Sequence, residues 1–423
     1  MEKANFKFSP EFVVGLSGLQ VINSGNNNEI RTECPHCKKS NAYLNKTKYA
    51  YHCFSCGAKG GILEYYQTAK GLDSKKEAFN ELNNAYEQLP PDKKDEMEAL
   101  VGVRDKSNSQ NVLASPKKID KAYTNLLKGY SLSKFDKQEL LRRGLTEKDI
   151  KKLEYITVPN SIGATKRMFG KALIPYSKKC VAIGKSNIPG LYLKNGVLVM
   201  AKQPTGIMIP VRARDGKINM FQIRRHALPK SATKEEKKKY HKYIQFSSGF
   251  KDTGCSTAGI TKIHHAGFNY ESEENPITVC ITEGCLKADV ASCLDNKAYI
   301  AVLGVSNLNN LDKEIKQLIE NGTRKFRIRL DMDFIDNPAV AEAIIKLNKM
   351  FNDRHIPVVL AEPHKNSPAY ICYETLAMKL KENKINFLPD TKNIPQGRLV
   401  VYNDVWNPKY KGIDDYLLSI KNR

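Results

Sequence analysis

Residues 276–284, PITVCITEG, and residues 326–333, FRIRLDMD, are two apolar segments that each end in acid, and their reading decides the fold of the second half of the chain. If both are strands of one parallel sheet, Glu283, Asp331 and Asp333 emerge together at its carboxyl edge, where open α/β sheets place their ligand sites. Asp331 and Asp333 are two residues apart and project from the same face of an extended chain. Gly284 permits a tight turn into the following helix. Three carboxylates this close repel one another and stay ionised only with a cation between them; a hard divalent ion, Mg²⁺ or Mn²⁺, suits such oxygen ligands.

Around this stretch the pattern alternates between strand and helix. ITVCIT, LKADVASCL, AYIAVLG, LDKEIKQLIENG, KFRIRLD, AVAEAIIKLNKMF and IPVVLAE predict a doubly wound parallel sheet spanning 276–423. RLVVYNDVW adds a candidate strand, and KGIDDYL opens a last helical turn with Asp414 and Asp415, which either cap that helix or border the metal site. Together with Asp336 they are further candidate metal ligands. Lys287, one helical turn after Glu283, is either a phosphate contact or a surface lysine.

Upstream, residues 119–275 predict a mixed α+β subdomain. YTNLLKGYSLSKFDKQELLRRGLTEKDIKKLEYI reads as two or three short helices, with Ser133 and Thr146 as N-caps. In GIMIPVRARDGKINMFQIRR the DG pair marks a hairpin turn between two alternating strands. Arg212, Arg214, Arg224 and Arg225 flank that hairpin. Alternation sends some of them to one face, a way to build a basic groove for a phosphate backbone. KEEKKKYHKY reads as a solvated segment, but Lys242, at its end and leading into YIQF, is a further candidate phosphate contact.

At the other end, Cys34 and Cys37 form CPHC, and Cys53 and Cys56 lie in YHCFSCGAKGG, fifteen residues beyond the first pair. This spacing closes two thiolate knuckles on a tetrahedral Zn²⁺, with a hairpin between them. Four thiolates leave no open position, so the zinc is structural, and His36 is a bystander. ILEYYQTAKGL and KKEAFNELNNAYEQL repeat apolar residues at helical spacing, completing a zinc-ribbon domain over 1–90. The charged, small-residue stretch 91–118 reads as a linker.

The chain has 423 residues and a formal net charge of +23, and its pI is near 9.4. A positive field of that size attracts polyanions, nucleic acid first. No signal peptide or membrane-spanning run is visible, so the expected location is the cytoplasm, with no membrane partner. The six cysteines outside the two pairs are scattered, which argues for free thiols in a reducing compartment.

These motifs resemble a known family. CPHC with YHCFSCGAKGG is similar to the N-terminal zinc ribbon of bacterial and phage DNA primases, with Cys37 where their second ligand is usually histidine. LLRRGLTEKDI, IPVRARDGKINMFQIRR and KYIQFSS follow in the order of the primase polymerase core. TEG and LDMD match two signatures of the Toprim fold shared by primases and topoisomerases, and KGIDD resembles a late acidic element of the primase catalytic domain. TEGCLKADVAS and LGVSN also resemble a Toprim-associated domain of plasmid and phage replication proteins. An extra segment from about Pro363 to Gly397 lies outside the resemblance.

The resemblance implies synthesis of short primers on a single-stranded DNA template from nucleoside triphosphates. Glu283, Asp331 and Asp333 would hold two Mg²⁺ or Mn²⁺ ions. Arg212, Arg224 and Lys242, with Arg214 and Arg225 beside them, would hold phosphates. Tyr51 and Phe54 would stack template bases or belong to the ribbon's small core. Neither a helicase-docking module nor a G-x-x-x-x-G-K-[ST] loop is recognised, so helicase and polymerase are expected as separate proteins. The alternatives are a Toprim nuclease using the same acids to activate water, and a non-catalytic DNA-binding accessory protein of replication or recombination.

Overall fold

The computed structural model describes residues 8–23, 29–46, 48–90, 113–158, 180–229, 231–272, 274–304, 308 and 310–421. Residues 91–112 of the expected linker and 305–307 of LGVSN lie outside them. The chain divides into two compact units, 1–110 and 111–423.

Among the described residues, the first unit is an antiparallel meander with three helices. Helix α1 (Pro10–Ser17) starts where Ser9 Oγ accepts the Phe12 N–H. Strands β1 (Val21–Asn23), β2 (Glu29–Thr32), β3 (Ala42–Asn45), β4 (Ala50–Cys53) and β5 (Lys59–Gly61) pair in sequence order. Helices α2 (Ile62–Lys70) and α3 (Lys75–Glu87) follow, as their apolar spacing predicts. Strands of three or four residues bury little, so the core rests on large rings: Phe8, Tyr51, Tyr65, Tyr66 and Tyr86 pack with Ile30, Leu44 and Leu82. Tyr65 is wholly buried, and its hydroxyl bonds with Thr32 Oγ1 at 2.9 Å.

The second unit opens with α4 (Pro116–Lys128), α5 (Lys134–Arg142) and α6 (Glu147–Leu153). Ser133 and Thr146 cap the latter two, and Thr146 with Asp149 forms a reciprocal capping box. Strands β6 (Ile156–Thr157), β9 (Gly206–Arg212), β10 (Ile218–Arg225) and β11 (Tyr243–Gln245) form an antiparallel sheet in the order β11-β10-β9-β6. A separate hairpin joins β7 (Leu191–Lys194) to β8 (Val197–Met200), and α7 (Lys234–Lys239) precedes β11. The DG turn between β9 and β10 forms as read, with Gly216 at φ +77° and the Ala213 N–H donating to the Lys217 carbonyl at 2.9 Å. The two strands do not alternate in burial, however. Met208, Phe221 and Ile223 pack on one side with α4, and Ile207, Ile209, Val211 and Met220 on the other with residues that follow β13. A sheet covered on both faces reads as a continuous apolar run.

The second sheet has six strands in the order β12-β14-β13-β15-β17-β16: β12 (Ile263–Ala266), β13 (Thr278–Glu283), β14 (Ala298–Val302), β15 (Lys325–Ile328), β16 (Val358–Val359) and β17 (Val400–Asn403). All pairs are parallel except β12 with β14. Helices α8 (Cys285–Asp295), α9 (Leu311–Glu320), α10 (Pro338–Asn352), α11 (Tyr370–Glu382) and α12 (Ile413–Lys421) complete the unit. RLVVYNDVW does supply a strand, β17, but it lies inside the sheet, between β15 and β16. The antiparallel edge strand β12 has no counterpart in the sequence-based expectation. From β13 the chain moves outward to β14, and from β15 it moves the opposite way. The carboxyl ends of β13 and β15 therefore flank the crevice of a topological switch point.

Behind that crevice lies an ion-pair network. Arg327 donates both Nε and Nη2 to Asp404, at 2.8 and 2.6 Å, and Arg329 donates to Asp404 and Asp295, at 2.6 and 2.7 Å. Arg329 is only 7% exposed. Removing one partner of such a group strands the other charges away from water. Asp404→Ala is expected to destabilise the second unit by about 3 kcal/mol, measured by urea denaturation against the unaltered protein.

Candidate functional site

The four cysteines are placed by turns at two strand junctions. Cys34 and Cys37 lie between β2 and β3, Cys53 ends β4 and Cys56 precedes β5. Their sulfurs all lie within 4.8 Å of one another, with Cys34 Sγ to Cys56 Sγ at 3.7 Å and Cys37 Sγ to Cys53 Sγ at 3.8 Å. A tetrahedron with Zn–S bonds of about 2.3 Å has edges of about 3.8 Å, so the cluster fits a structural zinc ribbon. Burial pushes the Cys34 thiol up to about 12. Burial also acts on Cys53, but the backbone N–H groups of Cys56 and Ser55 hold its thiol down at about 7. His36 stands outside the sulfur cluster, its Nε2 3.0 Å from the Tyr51 hydroxyl.

Tyr51 does not serve as a stacking surface. It is 3% exposed and packs edge-on against Tyr65, 5.3 Å between centroids, because its strand position points into the main core of this small unit. Phe54, one residue beyond β4, is 66% exposed. It meets His52 and Tyr43 edge-on at 4.5 and 5.4 Å, and Arg31 lies over the Tyr43 ring.

At the switch point of the second unit, Glu283 is the last residue of β13, and Ile281 is level with Ile328 of β15. Asp331 and Asp333 follow β15 at the entry to a 3₁₀ turn, Met332–Ile335. Asp414 enters from the first turn of α12 and is 6% exposed. The predicted trio thus reaches one edge. The cations between the acids are ammonium groups: Lys287 Nζ donates to Asp331 Oδ1, and Lys411 Nζ lies 2.6 Å from Asp333 Oδ2 and 3.8 Å from Asp331 Oδ2. Among the described residues only the cysteines bring three or more metal-ligand atoms within 4.8 Å of one another. No three of the described carboxylates come that close, and the two lysines stand among them.

Burial raises the pKa of Glu283 above the ordinary glutamate value; Lys287 opposes this and Asp331 adds to it. Asp414 is raised for the same first reason, with Lys287 and Arg143 pulling the other way. Asp333 Oδ1 is buried and has no hydrogen-bond partner. All the donors are carboxylate oxygens, the class that Mg²⁺ and Mn²⁺ take, so the residues fit such an ion. Asp336 and Asp415 are exposed and make no ion pair among the described residues.

The basic residues separate into two groups. Arg224 pairs with Glu139 at 2.5 Å, Arg143 lies 3.8 Å from Glu139 and 3.3 Å from Asp414, and these arginines bring the end of β10 to the acidic edge. Lys242 is exposed overall, yet desolvation at its ammonium and the like charges of Arg224, Arg143 and Lys287 hold its pKa below the usual lysine value. Arg225 lies over Tyr240, 4.7 Å from the ring centroid. Arg212 and Arg214 sit at the opposite, turn end of the hairpin. Arg212 is spent on Glu154 and on the Gly216 carbonyl. Both strands run the length of the sheet, so arginines six or more residues apart on paired strands cannot share one end.

Arg143, Lys411 and Glu139 were not singled out by sequence reasoning. A basic residue in LLRRGL and one in KGIDD carry no local mark that they meet; only packing brings them together. The fastening between the two sheets was also illegible. His264 Nδ1 accepts the Arg212 N–H at 3.0 Å, its Nε2 faces Asp289 Oδ1 at 3.0 Å, and the Tyr155 hydroxyl donates to Asp289 Oδ2.

No protein family and no curated protein matches the sequence. Similar solved structures are bacterial primase zinc-binding and catalytic-core domains. The zinc-binding and RNA polymerase domains of the Aquifex aeolicus primase are 18% identical, with a TM-score of 0.40 over 80% of this chain and 73% of that one. The RNA polymerase domain of the Mycobacterium tuberculosis primase DnaG, solved with a double-stranded DNA oligomer with a 6-nucleotide overhang, is 11% identical, with a TM-score of 0.37 over 56% of this chain and 84% of that one. The E. coli primase catalytic core is 17% identical, with a TM-score of 0.34 over 51% and 59%. Among the described residues no helix is long and apolar enough to cross a membrane.

Proposed function

We propose that this chain is a DNA primase that copies a single-stranded DNA template into short primers by nucleotidyl transfer from nucleoside triphosphates. The observation that carries this reading is the meeting of two opposite charges from different parts of the fold. Glu283, Asp331, Asp333 and Asp414 gather at the switch point, and Arg143, Arg224 and Lys242 converge on the same edge. Acids alone suit a metal and bases alone suit a polyanion; side by side they suit a metal-bound phosphate chain.

In this reading a 3′ hydroxyl attacks the α-phosphate of the incoming nucleotide and pyrophosphate leaves. Glu283, Asp331 and Asp333 would hold Mg²⁺ or Mn²⁺, which supplies charge stabilisation to the phosphoryl oxygens in a one- or two-metal arrangement. Arg224 and Lys242 bind phosphates of nucleotide or template, and Arg143 keeps Asp414 and Glu139 in place. The first unit, with Zn²⁺ on its four thiolates, contributes the exposed ring of Phe54 beside Arg31 and Tyr43, a surface on which a template base can stack. Helicase and polymerase would be separate proteins.

The decisive assay incubates the protein with varied single-stranded DNA templates, labelled nucleoside triphosphates and Mg²⁺ or Mn²⁺. Short labelled oligomers are expected; their absence on every template overturns the proposal, and shortened DNA instead identifies a nuclease. Phe54→Ala is expected to weaken single-stranded DNA binding by about tenfold, the loss of one stacked base. Fluorescence anisotropy at fixed salt reads this directly, and unchanged affinity removes Phe54 from the template path.

A further inference from the structure

We propose that Lys287 and Lys411 are exchangeable counter-ions: they neutralise the acidic edge while no divalent ion is bound, and turn to the nucleotide's polyphosphate when the ion takes the carboxylates. This rests on the metal and nucleotide reading given above and adds the identity of the groups that must move.

Lys287 stands in the first turn of α8, a helix with no acid in that turn. Its unpaired N–H groups already make that end positive, so a cation there is disfavoured unless something compensates it. Asp331 is the compensation, taking Lys287 on Oδ1 while Lys411 faces its Oδ2. Asp331 is only 8% exposed in its side chain. Lys287 is hydrogen-bonded to Oδ1 and Lys411 stands 3.8 Å from Oδ2, so a metal binding this residue meets two ammonium charges at close range.

Lys411 has an exposed side chain on an anchored backbone, and Lys287, 18% exposed in its side chain, runs through space kept for it. The Lys411 carbonyl accepts the Met332 N–H at 2.9 Å, which anchors its backbone beside Asp331, while its side chain is 61% exposed. The stem of Lys287 passes Gly412, where an added Cβ would lie 3.1 Å from Lys287 Cε and 2.5 Å from Asp414 Oδ1. Glycine therefore keeps open the space the lysine occupies. A divalent ion among these carboxylates repels both ammoniums at close range. The phosphates that the ion brings then offer the displaced ammoniums new partners, and the N-terminus of α8 favours them as well. The buried Asp333 Oδ1 has no hydrogen-bond partner and is open to the ion.

The test measures Mn²⁺ binding by electron paramagnetic resonance, and then binding of a non-hydrolysable nucleoside triphosphate at saturating Mn²⁺, on the full chain. Lys287→Gln and Lys411→Gln are each expected to bind Mn²⁺ about tenfold more tightly, the scale of a close like charge removed, and the analogue about tenfold more weakly. Lys287→Arg, which keeps the charge, should not tighten Mn²⁺. Lys411→Gln is an exposed change and keeps the test open if Lys287→Gln fails to fold. Unchanged or weaker Mn²⁺ binding in the folded glutamine variants overturns the exchange while leaving the metal site standing. No Mn²⁺ binding by the unaltered protein overturns the metal reading of the acidic edge and the exchange with it.

Discussion

Asp331→Ala is expected to lower primer synthesis by about a thousandfold or more, with single-stranded DNA affinity within about twofold of the unaltered protein. Asp331 is the central acid of the edge: one oxygen faces Lys287, the other faces Lys411, and Glu283 lies across the crevice. In the proposed mechanism, removing it deletes a metal ligand and leaves two ammonium groups where the ion would sit. Arg224 and Lys242, the proposed phosphate contacts, are untouched, so binding to DNA should survive. Loss of the pair also leaves Lys287, only 18% exposed in its side chain, without its partner, so a lower melting temperature should accompany the change. Asp331→Asn keeps the volume and separates the two effects: activity should remain lost while stability is largely restored. Undiminished primer synthesis by Asp331→Ala would remove this acid from the catalytic set.

The second large effect concerns the four-cysteine cluster of the first unit. Cys53→Ser is expected to abolish stable zinc binding and to unfold that unit, leaving the second unit's transition intact. Its strands are three or four residues long, and Cys34, Ala42 and Cys53 form a small buried cluster of their own beside the main core. Structural zinc contributes on the order of 10 kcal/mol to folding in such small domains, more than a core of this size can replace. Atomic absorption should find well under one zinc per chain, and thermal unfolding should show the first unit's transition missing. Full zinc occupancy in the variant would contradict the ligand set. Primer synthesis should fall as well, because Phe54 is placed by the same knuckle.

Much of this was legible because the signals are local. The cysteine pairs meet through their own turns, and Ser133 and Thr146 cap the helices that directly follow them. Glu283, Asp331 and Asp333 were readable as a group because a strand's end is visible in sequence, and parallel strands send their ends to one edge. Burial was harder to read. Tyr51 and Phe54 are three residues apart in the same aromatic motif, yet one is core and the other is exposed. The arginines of β9 and β10 looked like one groove, but the length of the hairpin sends Arg212 and Arg214 to the far end from Arg224.

The sequence by itself therefore determined the four-cysteine cluster, the caps and the acids at the strand ends, since each depends on residues close in the chain or on the fixed direction of a strand. Tertiary structure alone decided that β17 lies between β15 and β16 and that β12 runs antiparallel at the edge. It also decided that Arg143, Lys287, Lys411 and Asp414 join the acid trio. Those choices are made by packing and charge between segments from about 35 to 271 residues apart, where no spacing rule reaches. For that reason the acids could be foreseen to need a cation, and only the folded chain could supply the two lysines that fill the role.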